Sequence, residues 1–138
     1  MRTQLFTPSI HQKSQDSLLG LSQPRERLIL RYMQKKNMLL AMGRSVSLDV
    51  RPAYQQIFYQ VKRHFMLSNQ LTCYFYYTVI NATTTKLLFS LFRLLNTASK
   101  QGNQVTIFWM IEDGDQELRE IGTDFKEVFS LDFKINVK

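Results

Sequence analysis

The chain has 138 residues, 44% of them hydrophobic, enough for one domain with a core of its own. No apolar run reaches the roughly 18 residues of a transmembrane helix, and the opening MRTQLFTPSIHQKSQ lacks the apolar stretch of a secretory leader. The formal charge of +7 is uneven: residues 1–70 hold eleven Lys/Arg against three Asp/Glu, and residues 71–138 hold seven against eight. A basic half can attract nucleic acid, an anionic membrane or an acidic protein. Its cations are spread over tail, strands and helix without an arginine-rich run, which favours a solvated basic surface.

Residues 1–24 are rich in Ser and Gln, carry Pro8 and Pro24, and show little periodicity; they are expected to form a flexible N-terminal tail. Leu18, Leu19 and Leu21 are the only candidate docking patch within it. The folded domain is expected from 25 to 138.

Arg27–Met33 alternates weakly and predicts a first strand. Gln34-Lys35-Lys36-Asn37 is a polar turn, and Asn37–Met42 a second strand ended by Gly43. A loop over Ser45–Arg51 leads to Pro52, which suits a first helical turn. Tyr54, Ile57, Phe58, Val61 and Phe65 then recur at helical spacing. His64 lies near the C-terminal end of that helix, where it favours the dipole, with no partner at metal-ligand spacing.

Leu71, Cys73, Phe75, Tyr77 and Val79 alternate with Thr72, Tyr74, Tyr76 and Thr78, predicting a strand with one strongly apolar face. Cys73 is the only cysteine and lies on that face, so no internal disulfide forms and a reducing cytoplasm is the natural setting. Tyr74, Tyr76 and Tyr77 carry rings that could stack on bases, but core packing is the ordinary role of aromatics in a central strand. The turn Asn81-Ala82-Thr83-Thr84-Thr85-Lys86 follows. Leu87, Leu88, Leu91, Leu95 and Ala98 then form a helical stripe that ends before Gly102. A strand passing into a helix leaves backbone N–H groups free, which makes this turn the expected functional centre.

Gln104–Ile111 is almost continuously apolar, as in a strand covered on both faces. Glu112, Asp113, Asp115 and Glu117 could gather a cation, but a solvated helix cap is the commoner use of such a turn. Leu118, Ile121, Phe125 and Val128 or Phe129 stripe a last helix, and Leu131, Phe133, Ile135 and Val137 alternate as a last strand. The order β-β-α-β-α-β-α-β is that of an α/β fold, a mixed sheet of about five strands with helices packed on it. The sequence shows no phosphate-cradling glycine loop, no Cys/His metal set and no nucleophile elbow, so neither an enzyme nor a cofactor is expected.

The chain from about Arg27 onward resembles the SiaC family of bacterial regulatory phosphoproteins. The residues that carry the resemblance are Gly43-Arg44-Ser45, the Asn81–Lys86 turn, Gly102-Asn103-Gln104-Val105, Phe108-Trp109, the acidic turn and the segment Glu117 to Phe129. The resemblance implies a STAS-like fold and a non-enzymatic role in a partner-switching module. The partners implied are a Ser/Thr kinase, a metal-dependent phosphatase and a diguanylate cyclase, linking the protein to cyclic-di-GMP and biofilm formation. It also implies that Asn81, Ala82, Thr83, Thr84, Thr85 and Lys86 bind the partner. The family's phosphoacceptor follows the asparagine directly, and that position is Ala82, which cannot be phosphorylated. Either Thr83 takes over or the protein is a fixed binder; the ordinary role of Thr83 and Thr84 there is helix capping. The alternative function is a basic module binding nucleic acid or a membrane surface.

Overall fold

A computed structural model describes residues 27–138. The expected tail, with Leu18, Leu19 and Leu21, lies outside the described residues.

Nine elements follow in order. Strand β1 (Leu28–Met33) leads through a 3-10 turn (Gln34–Lys36) into β2 (Met38–Ser45). Helix α1 (Arg51–Leu67), strand β3 (Gln70–Ile80), helix α2 (Ala82–Lys100), strand β4 (Gln104–Ile111), helix α3 (Gln116–Val128) and strand β5 (Asp132–Val137) complete the chain. The sheet runs β1-β2-β3-β4-β5. The β1–β2 pair is an antiparallel hairpin, closed by Asn37 at φ 52°, a left-handed conformation that asparagine tolerates. The other pairs are parallel, so each connection must cross over, and each does so through a helix.

All three helices pack on one face. Leu39 and Ala41 of β2, Leu71, Cys73, Phe75 and Tyr77 of β3, and Val105, Ile107, Trp109 and Ile111 of β4 share one core with the helical stripes. Trp109 lies at its centre, against Phe75, Tyr77, Phe125 and Phe133, and its indole N–H donates to the Leu118 carbonyl at 2.9 Å. Gly122 of α3 sits on the Trp109 ring, where a Cβ would overlap the indole.

Four expectations change in detail. Strand β2 continues through Gly43, whose φ of 95° suits glycine, and ends at Ser45. The pairing slips between Gly43, opposite Tyr77, and Arg44, opposite Val79. Thr78 is the extra residue of a bulge, so Val79 leaves the face that Tyr77 occupies. Among the described residues, strand β4 is covered by helices on one face only: Val105, Ile107, Trp109 and Ile111 are buried while Thr106, Phe108 and Met110 are half-buried. Its apolar run is continuous because the second face is apolar too. Tyr74 and Tyr76 likewise belong to that second face; only Tyr77 joins the core.

His64 lies in the last turn of α1, as expected, and is buried. Its Nε2 donates to the Gln70 carbonyl at 2.7 Å, and its Nδ1 lies 2.6 Å from the Tyr32 hydroxyl. Desolvation raises the pKa of that tyrosine.

Candidate functional site

The Asn81–Lys86 turn is built by three neighbouring segments. Asn81 is extended and caps α2: its Oδ1 accepts from the Thr84 amide at 2.9 Å. Capping therefore falls to Asn81 and not to Thr83 or Thr84; asparagine is among the best caps because its short carbonyl reaches the free amides of the first turn. The other end of the side chain binds outward, with Nδ2 donating to the Val46 carbonyl at 3.1 Å. The Asn81 amide donates to the Ser45 carbonyl at 3.3 Å. The turn is thus stitched to the end of β2 and to the loop that follows it.

Thr84 is fully buried, and beneath it runs a chain of hydroxyls. Thr84 Oγ1 donates to the Ser45 carbonyl at 2.7 Å and also lies 2.7 Å from Ser45 Oγ. Ser45 Oγ is 2.8 Å from the Tyr54 hydroxyl, which is 2.8 Å from the Tyr77 hydroxyl. The terminal carbonyl can only accept, and each hydroxyl has one proton. Thr84 spends its proton on that carbonyl, so Ser45 donates to Thr84, Tyr54 to Ser45 and Tyr77 to Tyr54. Four buried hydroxyls are satisfied in one direction. Burial raises the pKa of Tyr54, and raises that of Tyr77 well above the ordinary phenol value, helped by the neighbouring Tyr54.

The outer side of the turn is different. Ala82 and Lys86 are exposed, and Thr83 and Thr85 half-buried. The Thr85 hydroxyl donates back to the Asn81 carbonyl at 3.1 Å. Thr83 makes no hydrogen bond through its hydroxyl within the described residues. Ala82 and Thr83 head the helix, where amides lack intrahelical acceptors and the dipole favours an anion. In the loop that Asn81 holds at Val46, Leu48 is 96% exposed.

The acidic turn acts as a cap. Asp115 Oδ1 accepts from the Leu118 amide at 3.1 Å at the start of α3, and Glu112 accepts from the Tyr76 hydroxyl. Among the described residues no group of three or more His, Cys, Asp or Glu is placed to hold a metal, and no helix is long and apolar enough to cross a membrane.

A family model described as SiaC family regulatory phosphoprotein matches residues 29–138. The chain belongs to the SiaC family. Its fold is similar to three solved structures of Pseudomonas aeruginosa proteins. The crystal structure of diguanylate cyclase SiaD in complex with its activator SiaC matches with a TM-score of 0.77 and 18% identity, over 83% of this chain and 94% of that one. SiaC itself matches with a TM-score of 0.74 and 20% identity, over 83% and 93%. The crystal structure of apo-SiaC matches with 0.71 and 19%, over the same shares. The sequence matches none of the curated proteins. Within this SiaC-family chain, Ser45 of the Gly-x-Ser step lies against the turn, joining two motifs 36 residues apart in sequence (Ser45 and Asn81). Sequence reasoning missed Tyr54 and Tyr77 as members of the site, because each sits on an apolar stripe and reads as core. Sequence reasoning also assigned capping to Thr83 and Thr84, and the structure gives it to Asn81.

Proposed function

We propose that this chain is a non-enzymatic cytoplasmic signalling protein that docks a protein partner through the outer surface of the Asn81–Lys86 turn. Its setting is a partner-switching module of the kind the family implies, with a Ser/Thr kinase, a metal-dependent phosphatase and a diguanylate cyclase as partner classes. SiaC of Pseudomonas aeruginosa is named as the activator of the diguanylate cyclase SiaD, and that activity supports the same partner class here. The observation that carries the reading is the division of the turn. Asn81 and Thr84 are locked inward, so Ala82, Thr83 and Lys86 are presented on a rigid base.

That division also bears on control. With Ala82 at the family's acceptor position, and Thr84 and Thr85 bonded to Ser45 and Asn81, Thr83 is the acceptor left to a kinase. A phosphate there brings about −2 charge close to the helix N-terminus, where the dipole favours it by roughly 0.3–1 kcal/mol. Folding survives while the docking surface changes. Thr83→Asp should leave the melting temperature nearly unaltered and weaken binding to a diguanylate cyclase. Ala82→Thr should gain label from a family kinase. If Thr83→Asp and a bulky Ala82→Arg both bind the cyclase as the wild type does, the turn is only a cap and docking lies elsewhere.

A further inference from the structure

The second face of the sheet carries no helix among the described residues. Register places Arg31, Leu40, Tyr74, Phe108 and Lys134 in one row across all five strands. The row has an apolar centre and a cation at each end, and both cations are exposed while the centre is half-buried. Lys134 Nζ lies 4.0 Å from the exposed Asp132 carboxylate, a surface pair that a partner's acid can displace. Methionine flanks it. Of the five methionines from residue 27 onward, Met33, Met38, Met42 and Met110 lie on this face, Met42 buried at 2% exposure and the other three half-buried; Met66, 81% exposed on α1, does not. Methionine side chains are unbranched and polarisable, and adapt to apolar partners of varied shape.

Two properties of the row select an occupant. Strands lie about 4.8 Å apart, so Arg31 and Lys134 stand about 19 Å from each other across the centre. An α-helix with its side chains is about 10–12 Å wide, leaving each flank within reach of a long cationic side chain. The centre, in turn, is an ordered apolar patch. Tyr74 and Phe108 are stacked on each other at 5.0 Å and 10°, Lys134 Nζ lies 5.5 Å over the Phe108 ring, and Lys138 Nζ lies 5.3 Å over the Tyr76 ring. A stacked pair standing beside Leu40 suits aliphatic side chains. A second copy would bring the same two cations to the same face.

We propose that this face is a second docking surface, separate from the Asn81–Lys86 turn, for an amphipathic helix of a partner protein whose apolar stripe is flanked by Asp or Glu. The stripe lies on Leu40, Tyr74 and Phe108, and its acidic flanks meet Arg31 and Lys134. The surface does not depend on phosphorylation or on the turn.

The test uses the full chain with methyl-labelled methionine and a synthetic helical peptide about five turns long, leucine on one side and glutamate on both flanks. The expected result is that the Met38, Met42 and Met110 methyl resonances shift while Met66 does not. The double variant Arg31→Glu with Lys134→Glu, both exposed positions, should weaken binding at least about tenfold while its free methyl spectrum stays that of a folded chain. A peptide with lysine flanks should bind more weakly than the glutamate peptide. The proposal is overturned if the glutamate peptide leaves these methyls unmoved or the double variant binds it as tightly as the wild type. It is also overturned if a single-stranded oligonucleotide shifts the same methyls in its place, if they shift with protein concentration alone, or if they contact residues 1–26 and exclude the peptide.

Discussion

The direction of the hydroxyl chain makes Ser45→Ala and Tyr77→Phe unequal, although each removes one hydroxyl from the same buried network. Ser45 is 1% exposed and its Oγ lies between Tyr54 and Thr84, at 2.8 and 2.7 Å. Removing it deletes two hydrogen bonds, each worth roughly 0.5–1.5 kcal/mol net, and leaves the Tyr54 proton with no acceptor in a dry site, a penalty of roughly 1–3 kcal/mol. The expected loss is about 2–4 kcal/mol. Tyr77 is the first donor of the chain. Its removal costs one bond and orphans no proton, because Tyr54 still donates to Ser45; about 1 kcal/mol is expected. Urea denaturation reads both, as a lower midpoint with an unchanged slope. A larger loss in Tyr77→Phe than in Ser45→Ala would refute the assigned direction. It would mean that Ser45 donates to Tyr54 and Tyr54 to Tyr77, so that only removal of the Tyr77 hydroxyl orphans a proton.

Two further outcomes follow from the core. Gly122→Ala would push a methyl into the Trp109 indole and should cost about 1–3 kcal/mol by overpacking, with a change in tryptophan fluorescence; an unaltered midpoint and emission would show that α3 shifts freely off the sheet. Tyr54 and Tyr77 have folded pKa values raised by burial, so the folded state retains their protons when the unfolded chain begins to lose them near pH 10. Their contribution is complete below that pH and falls as pH rises, so stability should decline above about pH 10 and these two rings should ionise only on unfolding, readable as a tyrosinate absorbance step coincident with loss of circular dichroism.

The order of elements was legible because each carries its own period. The stripe of α2 and the alternation of Leu71, Cys73, Phe75 and Tyr77 are local patterns, and local patterns survive without tertiary knowledge. The turn was legible as a strand-to-helix junction, and Ala82 as a departure from the family's acceptor. The roles within the turn were not. Thr83, Thr84 and Thr85 are chemically identical in sequence, and tertiary surroundings distinguish them: Ser45 draws Thr84 inward, the Asn81 carbonyl takes the Thr85 hydroxyl, and the Thr83 hydroxyl has no hydrogen bond within the described residues. The second face of the sheet is a related case. An apolar run in β4 fits a strand covered twice, and it fits equally a strand whose second face is apolar and carries no helix among the described residues.

The bulge at Thr78 connects these facts. With regular alternation after Tyr77, Val79 would face the helices and Ile80 the open face. The chain would then enter the turn rotated by half a repeat, since side chains along a strand alternate faces. The extra residue restores the parity. Ile80 pairs with Ser45 and packs on the core, and Asn81 emerges with its amide on the Ser45 carbonyl and its side chain on Thr84 and Val46. Thr78 bears the cost: its Oγ1 is buried and finds no hydrogen-bond partner within the described residues. A buried hydroxyl left unpaired destabilises by roughly 1–3 kcal/mol. The bulge therefore trades stability in β3 for the aim of the cap, and the aim of the cap decides which residues of the turn face outward.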